Sequence, residues 1–165
     1  MNVFLIVAQS ADGFIAKNQT HLATDWTSKE DKQFFTERTK KAGVVVMGST
    51  TYETFMRPLK ERLNIVYSRD KTYEGVETTQ KPPTELITEL EGRGYEEVAI
   101  CGGASIYTLF MEAGLIQTLY FTVEPILFGQ GISLFNKSIE QKLVLKSSEK
   151  LNDQGTILLE YGIRN

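Results

Sequence analysis

Asp31 is the residue of this chain best placed to bind a cationic or amidine-like edge of a ligand. It lies in the first turn of a predicted helix over 28–41, and Phe34 and Phe35 follow it at positions i+3 and i+4. The carboxylate therefore shares a helix face with two aromatic rings that should point inward. A carboxylate beside apolar surface is partly desolvated and can select a cationic ligand edge. The alternative is a solvated acidic residue that the helix dipole favours.

Other side chains could complete a site around this carboxylate. Trp26, the only tryptophan, lies five residues before Asp31 and could wall a pocket and place a water molecule; the alternative is a loop anchor. Arg62 precedes a predicted strand, where a guanidinium can bind a carboxylate through two hydrogen bonds or form a surface ion pair. Ser68 and Arg69 end the same strand and could bind a phosphate monoester, unless they form an ordinary polar turn.

Two stretches share one pattern of an apolar run, a glycine and a helix-like segment: 44–53, with Gly48, and 98–107, with Gly102 and Gly103. Each predicts a buried strand that ends at glycine and leads straight into a helix N-terminus. A helix N-terminus offers unpaired N–H groups and the positive end of the dipole, which suits phosphate. One such turn is ordinary in α/β proteins, but the pair could hold the two halves of a phosphate-bridged cofactor.

The composition is that of a globular domain. At 165 residues, with 41% hydrophobic and 24% charged residues, we expect one domain over 1–165 with a sizeable core. The formal net charge of −3 argues against a nucleic-acid or anionic-membrane surface, although a local basic pocket is compatible with it. One histidine, interpreted as an exposed polar residue (His21), and one cysteine argue against a transition-metal site. We therefore expect no metal.

The sequence also indicates a compartment. The N-terminal residues have no basic region before their apolar run, so they predict a first strand rather than a signal peptide. No stretch approaches the roughly 18 consecutive apolar residues of a membrane span. The single cysteine, Cys101, cannot form an internal disulfide and fits a reducing cytosol. We expect a cytoplasmic protein with no membrane or nucleic-acid partner.

The order of predicted elements gives the fold class. Strands are expected at 2–9, 44–48, 63–68, 76–78, 97–101, 119–123, 142–150 and 156–163, and helices at 28–41, 50–56, 83–92 and 104–113. Thr27 is the predicted N-cap of the first helix, with Glu30 completing a capping box. Loops are expected at 10–26 and 128–138. This order predicts an α/β fold with a mainly parallel central sheet of about eight strands, an antiparallel C-terminal edge and about four helices.

Taken together, these residues resemble the dihydrofolate reductase family over nearly the whole chain, and also the related reductase domains of riboflavin biosynthesis. The matching segments are 4–8 with 12–16, Trp26 with Asp31 and Phe35, 46–48 with 51–53, 57–59 with Arg62, 64–66 with Ser68 and Arg69, Gly102 and Gly103 with Ile106 and Tyr107, and Leu119 and Tyr120 with Thr122. No single segment is specific, but the ordered set with matching spacings is.

The resemblance implies roles on the substrate side. Asp31 would anchor the pterin by hydrogen-bonding its 2-amino group and N3, with Thr122 supporting the contact. Trp26 would position water and close the site through the 10–26 loop. Arg62 matches the arginine that binds the glutamate α-carboxylate of folate. The implied walls of the pocket are Ala8 and Ile15 beside the pterin and nicotinamide, and Phe35 and Leu59 beside the substrate.

On the cofactor side the resemblance implies NADPH. Gly102 and Gly103 would lie beside the nicotinamide, because the absence of Cβ atoms lets backbone approach a ligand closely. Ser68 and Arg69 would meet the 2′-phosphate. The other implied cofactor residues belong to the two strand–helix junctions: Gly48, Ser49, Thr50, Thr51, Cys101, Ala104, Ser105 and Ile106. The usual G-x-G-x-x-G is absent, so an ordinary Rossmann site is not expected.

Four departures from the family pattern qualify these roles. Ser49 replaces a basic residue, so the preference for NADPH over NADH depends on Arg69. Residues 27–30 replace the usual Leu-Pro, and Lys32 replaces an apolar residue directly after the aspartate. Residues 128–135 look more like the riboflavin-type reductases than like typical folate enzymes.

The resemblance thus implies reduction of 7,8-dihydrofolate to tetrahydrofolate by NADPH, with hydride transfer to C6 and protonation at N5. Two alternatives remain: a riboflavin-pathway reductase acting on a 5-amino-6-ribosylamino-pyrimidinone 5′-phosphate, and a pteridine- or nucleotide-binding module without turnover. The spacing from Trp26 to Asp31, together with Arg62, favours folate. Folate members are commonly monomers and riboflavin members dimers, so we expect a monomer, with a homodimer as the alternative.

Overall fold

The computed structural model describes all 165 residues, and its central feature is an eight-stranded sheet. In spatial order the strands are β5 (Glu77–Thr79), β4 (Leu63–Tyr67), β3 (Val44–Gly48), β6 (Glu97–Ile100), β1 (Asn2–Ser10), β7 (Thr118–Glu124), β10 (Ile157–Ile163) and β9 (Leu143–Lys150). Every pairing from β5 through β7 is parallel, while β10 and β9 pair antiparallel. The predicted α/β fold, with a mainly parallel sheet and an antiparallel C-terminal edge, is confirmed.

Four helices flank the sheet: α1 (Lys29–Ala42), α2 (Ser49–Glu53), α3 (Pro83–Gly92) and α4 (Ala104–Glu112). None of them has the length and apolar character needed to span a bilayer. A short 3-10 turn, Ala23–Asp25, precedes α1.

The stretches expected to be loops contain a second, two-stranded sheet of β2 (Phe14–Ala16) and β8 (Ile132–Ser133). The expectation of pure loops at 10–26 and 128–138 is therefore wrong. Strands of two or three residues are too short to show an alternating pattern in the sequence. Gly131 permits the pairing, because a Cβ at that position would lie 2.3 Å from the carbonyl oxygen of Ala16.

The core has two layers, one on each face of the sheet. Along β1, Val3, Leu5 and Val7 pack into a cluster with the apolar residues of α3 and α4. Phe4 and Ile6, at the alternate positions, belong to a second cluster with residues of α1 and α2. Successive side chains of a strand point to opposite faces, so a strand buried on both faces must be apolar throughout. This is why β1 reads as a continuous apolar run.

The first helix begins one residue later than predicted. Its N-cap is Ser28 rather than Thr27, and Ser28 Oγ accepts the N–H of Asp31 over 3.1 Å. Glu30 does not complete a capping box; the N–H of Ser28 is instead donated to the carboxylate of Glu124 over 2.9 Å. The cap therefore depends on a residue 96 positions away, which local sequence cannot show.

The two strand–glycine–helix junctions lie side by side in space. Strands β3 and β6 are parallel neighbours, so their carboxyl ends meet at the same edge of the sheet. The N–H of Gly48 donates to the carbonyl of Gly102 over 2.8 Å, and the N–H of Cys101 donates to Val46 over 2.8 Å. Helices α2 and α4 therefore start next to each other, as a shared site for one ligand requires.

Candidate active site

A cavity of about 1290 Å³ opens along this edge of the sheet. Seventeen of the predicted site residues line it: Ala8, Ile15, Asp31, Phe35, Gly48, Ser49, Thr50, Thr51, Leu59, Arg62, Ser68, Arg69, Cys101, Gly103, Ala104, Ser105 and Ile106. Three predicted residues, Trp26, Gly102 and Thr122, are not on its wall. The structure thus brings most of the residues predicted to bind substrate and cofactor into a single cleft.

Asp31 is the buried acid of this cleft, with 9% of its surface exposed. Burial is the main reason that the pKa of its carboxyl rises from the ordinary 3.8 to about 6. The hydroxyl of Thr122 opposes this rise in the pKa, the charge of Glu124 adds to it, and the charge of Lys32 opposes it. A carboxyl with its pKa near neutrality can hold or release a proton under ordinary conditions, as proton-transfer chemistry requires.

Thr122 reaches Asp31 from the sheet. It pairs in register with Ala8 of the neighbouring β1, and Ala8 lines the cleft. Thr122 itself is only 2% exposed, so its hydroxyl supports the carboxylate from behind rather than facing the cavity.

The two rings that follow Asp31 point to different places. Phe35 lines the cleft, whereas Phe34 packs edge-on against Tyr120, with ring centroids 5.5 Å apart. Of the two rings, only Phe35 lines the cleft together with Asp31. Phe34 packs α1 against the sheet instead.

The Arg62 guanidinium comes from the loop before β4 and contacts α1 at Thr39, farther along the helix than Asp31. Its Nη1 donates to Thr39 Oγ1 over 2.7 Å, and its Nε donates to the carbonyl of Lys60 over 2.8 Å. Burial lowers the pKa of this group, and no carboxylate forms an ion pair with it. Thr39, which Arg62 contacts, follows Asp31 by eight residues on α1, so the backbones of these two residues are about 12 Å apart along the helix axis.

Asn64 holds the loop that carries Arg62. Its side-chain amide donates to the carbonyls of Leu59 and Arg62 and accepts the N–H of Leu59, each over 2.8 Å. Asn64 is 2% exposed, so these bonds are shielded from water. Asn64 belongs to segment 64–66, which matches the family, but no role was predicted for it. In the structure it positions two predicted substrate residues, Leu59 and Arg62.

The charge of the cleft is opposite to that of the whole protein. The chain carries a formal net charge of −3, yet the cavity wall has two acids, Asp31 and Asp70, against six bases: Lys32, Arg57, Arg62, Arg69, Lys71 and Lys81. Lys71 and Lys81 are paired with Glu53 and Glu89, whereas the other four bases form no ion pair. The cleft wall therefore carries a net positive charge, which favours anionic ligands.

The glycines at the two junctions leave backbone facing the cleft. A Cβ at Gly103 would lie 3.1 Å from Thr51 Oγ1, and one at Gly48 would lie 3.2 Å from Ile106. Gly103 is also the N-cap of α4 and Gly48 that of α2, so the first N–H groups of both helices have no partner within their helix. These N–H groups can donate hydrogen bonds to the phosphates of a ligand.

The end of β4 presents Ser68 and Arg69 at the rim. Ser68 Oγ accepts the N–H of Lys71 over 2.9 Å, and the side chain of Gln80 donates to the carbonyl of Arg69 over 2.7 Å. The backbone of this turn is therefore fixed from two sides, while the Arg69 side chain is exposed and unpaired. Lys71 and Lys81 line the same end of the cleft and were not predicted.

Trp26 lies behind the loop that edges the cleft. Its ring stacks on His21, with centroids 6.3 Å apart, and meets Phe128 edge-on at 5.0 Å. The Nε1 of Trp26 is buried and has no protein partner. His21 is half-buried and lines the cavity, so its interpretation as an exposed residue is wrong. His21 is partly covered by Phe128, with ring centroids 5.6 Å apart. Phe128 is distant in the chain, so the local sequence around His21 does not indicate this contact.

The sequence of this chain matches those of known proteins. A model of the dihydrofolate reductase family matches residues 2–154. The bifunctional dihydrofolate reductase-thymidylate synthase of Plasmodium vinckei is 31% identical over 131 residues, which are 73% of this chain and 67% of that protein. A match to the bifunctional protein of Plasmodium chabaudi covers 19% of that protein's length.

The chain belongs to the dihydrofolate reductase family.

Solved structures agree with the membership. Dihydrofolate reductase from Enterococcus faecalis, complexed with NADP(H), has a TM-score of 0.76 at 25% identity, covering 99% of this chain and 97% of that one. A Shewanella protein described as a riboflavin biosynthesis protein has a TM-score of 0.85 at 21% identity and covers 100% of both chains. The second likeness is one of fold.

Glu124 was not predicted as a site residue, although the strand pattern of the sequence indicates where its side chain points. Glu124 is 3% exposed and raises the pKa of Asp31. It follows Thr122 by two positions in β7, and residues i and i+2 of a strand point to the same face. If Thr122 faces the helix that carries Asp31, Glu124 must face it too.

Proposed function

We propose that this protein reduces 7,8-dihydrofolate to 5,6,7,8-tetrahydrofolate with NADPH as the hydride donor. The observation that carries the proposal is the arrangement along α1: a buried carboxyl at Asp31, and the guanidinium of Arg62, without an ion pair, bound at Thr39. Asp31 and Thr39 are about 12 Å apart along the helix axis. Phe35 lies between them, one turn after Asp31, and lines the cleft. Dihydrofolate has the complementary order of an amidine-like pterin edge, an aromatic linker and a carboxylate tail.

The other half of the cleft fits a phosphate-bridged dinucleotide. The starts of α2 and α4 offer free N–H groups, and the glycines at Gly48 and Gly103 leave space that a Cβ would fill. Arg69 supplies an unpaired cation at the far rim for the 2′-phosphate of NADPH, with Ser68 beside it. When bound, NADPH supplies the hydride from C4 of its nicotinamide.

The chain's own residues then have to orient the pterin and manage one proton. Asp31 binds the 2-amino group and N3 of the ring, and Thr122 holds the carboxyl in place. Because the pKa of Asp31 is about 6, a proton remains available near N5 at neutral pH. The buried Nε1 of Trp26 is free to hold the water that delivers this proton. Holding the two rings together supplies most of the remaining rate.

A second candidate has one observation in its favour. Besides Arg62 and Arg69, the cleft wall holds two more bases without an ion pair, Lys32 and Arg57. The two carboxylates of a glutamate tail are separate groups, whereas a phosphate monoester concentrates its charge on one group and can use several cations at once. The riboflavin-pathway reductase, whose substrate is a ribosylamino-pyrimidinone 5′-phosphate, therefore stands as the alternative.

The test is oxidation of NADPH by the purified protein, followed by its near-ultraviolet absorbance. We expect oxidation with dihydrofolate that methotrexate abolishes, and Asp31→Asn should lose turnover near neutral pH and recover part of it at lower pH. If NADPH binds but only the pyrimidinone phosphate supports its oxidation, the alternative replaces the proposal. If neither substrate supports oxidation, the protein is a binding module.

A further inference from the structure

Glu124 is a buried carboxylate to which the reaction described above gives no role. It is 3% exposed at the end of β7, and no lysine or arginine forms an ion pair with it. A buried charge without a counter-ion is costly unless its oxygens are well hydrogen-bonded. The groups that Glu124 binds therefore indicate what it does.

Both oxygens of Glu124 have defined partners. Oε1 accepts the N–H of Ser28 over 2.9 Å, and Oε2 accepts the hydroxyl of Thr156 over 2.9 Å. Ser28 is the N-cap of α1, and its own hydroxyl accepts the N–H of Asp31. A single side chain thus joins the end of β7, the C-terminal hairpin and the helix turn that carries Asp31. A carboxylate is also well placed at a helix N-terminus, where the dipole is positive.

We propose that Glu124 is a positioning residue of the active site: it fixes the helix turn that carries Asp31 and sets a second negative charge beside that carboxyl. The catalytic consequence of this arrangement rests on the proposed function, whereas the electrostatic coupling between Asp31 and Glu124 does not. The coupling and its catalytic consequence can therefore be tested separately.

No other charged or titratable group near Asp31 raises the pKa of its carboxyl as a neighbouring negative charge. On α1, Lys32 lowers the pKa of Asp31, and the carboxylate of Glu30 is turned toward the hairpin, where it accepts an amide N–H. On α4, burial raises the pKa of the Tyr107 hydroxyl, which therefore stays neutral. Glu124 is thus the charge that offsets Lys32 and keeps a proton on Asp31 to higher pH. Like charges held close together raise the pKa of one of the pair.

The direct test is the titration of Asp31 by carboxyl NMR in ligand-free protein labelled with 13C-aspartate, of which the chain has five. Glu124→Gln has the same shape and can keep a hydrogen bond to Ser28. It should move the midpoint of Asp31 down by about half a pH unit, a threefold change in the protonated fraction above the midpoint. The matched control is Glu30→Gln, which also removes one negative charge, here from the helix turn that carries Asp31. It should leave the midpoint of Asp31 unchanged, because the Glu30 carboxylate is turned toward the hairpin.

An unchanged Asp31 midpoint in Glu124→Gln, or an equal change in Glu30→Gln, overturns the proposal. If Glu124→Gln does not fold, Thr156→Val replaces it, because it removes the hydrogen bond that holds Oε2 of Glu124. The midpoint of Asp31 should move once the carboxylate is no longer held from the hairpin, and an unchanged midpoint overturns the proposal equally.

The catalytic consequence is read separately from kinetics. In the active enzyme, the pH above which kcat falls should move down in Glu124→Gln in parallel with the NMR midpoint of Asp31. A shift by NMR without a shift in the kcat profile overturns the positioning role. Absence of turnover in the wild type contradicts the proposed function instead, and the NMR result still decides whether the two carboxyls are coupled.

Discussion

Replacing the buried carboxyl of Asp31 with an amide should stabilise the fold at neutral pH even as it removes activity. A carboxyl whose pKa is raised on folding binds its proton more tightly in the folded state. The folded protein therefore loses stability as the pH rises from the unfolded to the folded pKa. Asp31→Asn has no such proton to release, and its amide oxygen can still accept the hydroxyl of Thr122.

The size of the effect follows from the pKa. Folding raises the pKa of Asp31 from 3.8 to about 6, a difference of about 2 pH units, each of which corresponds to about 1.4 kcal/mol. The free energy of unfolding of Asp31→Asn should exceed that of the wild type by about 3 kcal/mol at pH 7.5 and by only about 1 kcal/mol at pH 4.5. Any effect of the substitution on packing is common to both pH values, so the difference between them isolates the proton.

The measurement is urea unfolding at both pH values, followed by the fluorescence of the single tryptophan, Trp26. Asp25→Asn makes the same chemical change at an exposed position and is the matched control. If Asp31→Asn gains equally at the two pH values, or is destabilised at pH 7.5, the carboxyl is not held in the desolvated state described here.

Three further substitutions test the binding groups and the junction. Arg62→Gln should raise KM for dihydrofolate about 10- to 100-fold and leave KM for NADPH nearly unchanged, because a charged hydrogen-bonded contact contributes about 1.5–3 kcal/mol; equal effects on both substrates would contradict the assignment. Arg69→Gln should reduce the ratio of kcat/KM for NADPH over NADH about tenfold, and an unchanged ratio would place the 2′-phosphate elsewhere. Gly102→Ala should lower the free energy of unfolding by about 1–3 kcal/mol, because φ at this residue is +101° and a Cβ would lie 3.0 Å from Tyr107. Gly92→Ala, where a Cβ meets nothing within 4 Å, is its control by thermal unfolding.

The central sheet could be predicted because its signals are local. The buried strand over 44–48 is a continuous apolar run bounded by glycine, and the helix over 83–92 opens at proline; both were predicted with the bounds that the structure has. Parallel strands buried on both faces read as apolar runs, and glycine and proline mark their ends. The carboxyl ends of such strands then meet at one edge, so residues that follow them could be assigned to a common cleft.

The details that depend on distant partners could not be predicted. Ser28 rather than Thr27 caps α1 because a carboxylate 96 residues away accepts its N–H. Trp26 lies off the cleft wall because Phe128 packs against it, and the loop around Phe128 is held by bonds from its backbone to Asp12. Each of these contacts joins segments that are far apart in the chain, so no window of local sequence contains both partners.

The arrangement around Asp31 makes sense as a functional site rather than as a stabilising one. Burying a carboxyl so that its pKa reaches about 6 costs the fold stability at neutral pH, and setting Glu124 beside it adds to that cost. A fold selected for stability alone would place an apolar or amide side chain at Asp31. The chain instead offsets the cost with a capped helix and with hydrogen bonds from Ser28 and Thr156. A carboxyl maintained against this cost, in a cleft lined with cations, supports the proposal that Asp31 holds a proton for a bound substrate.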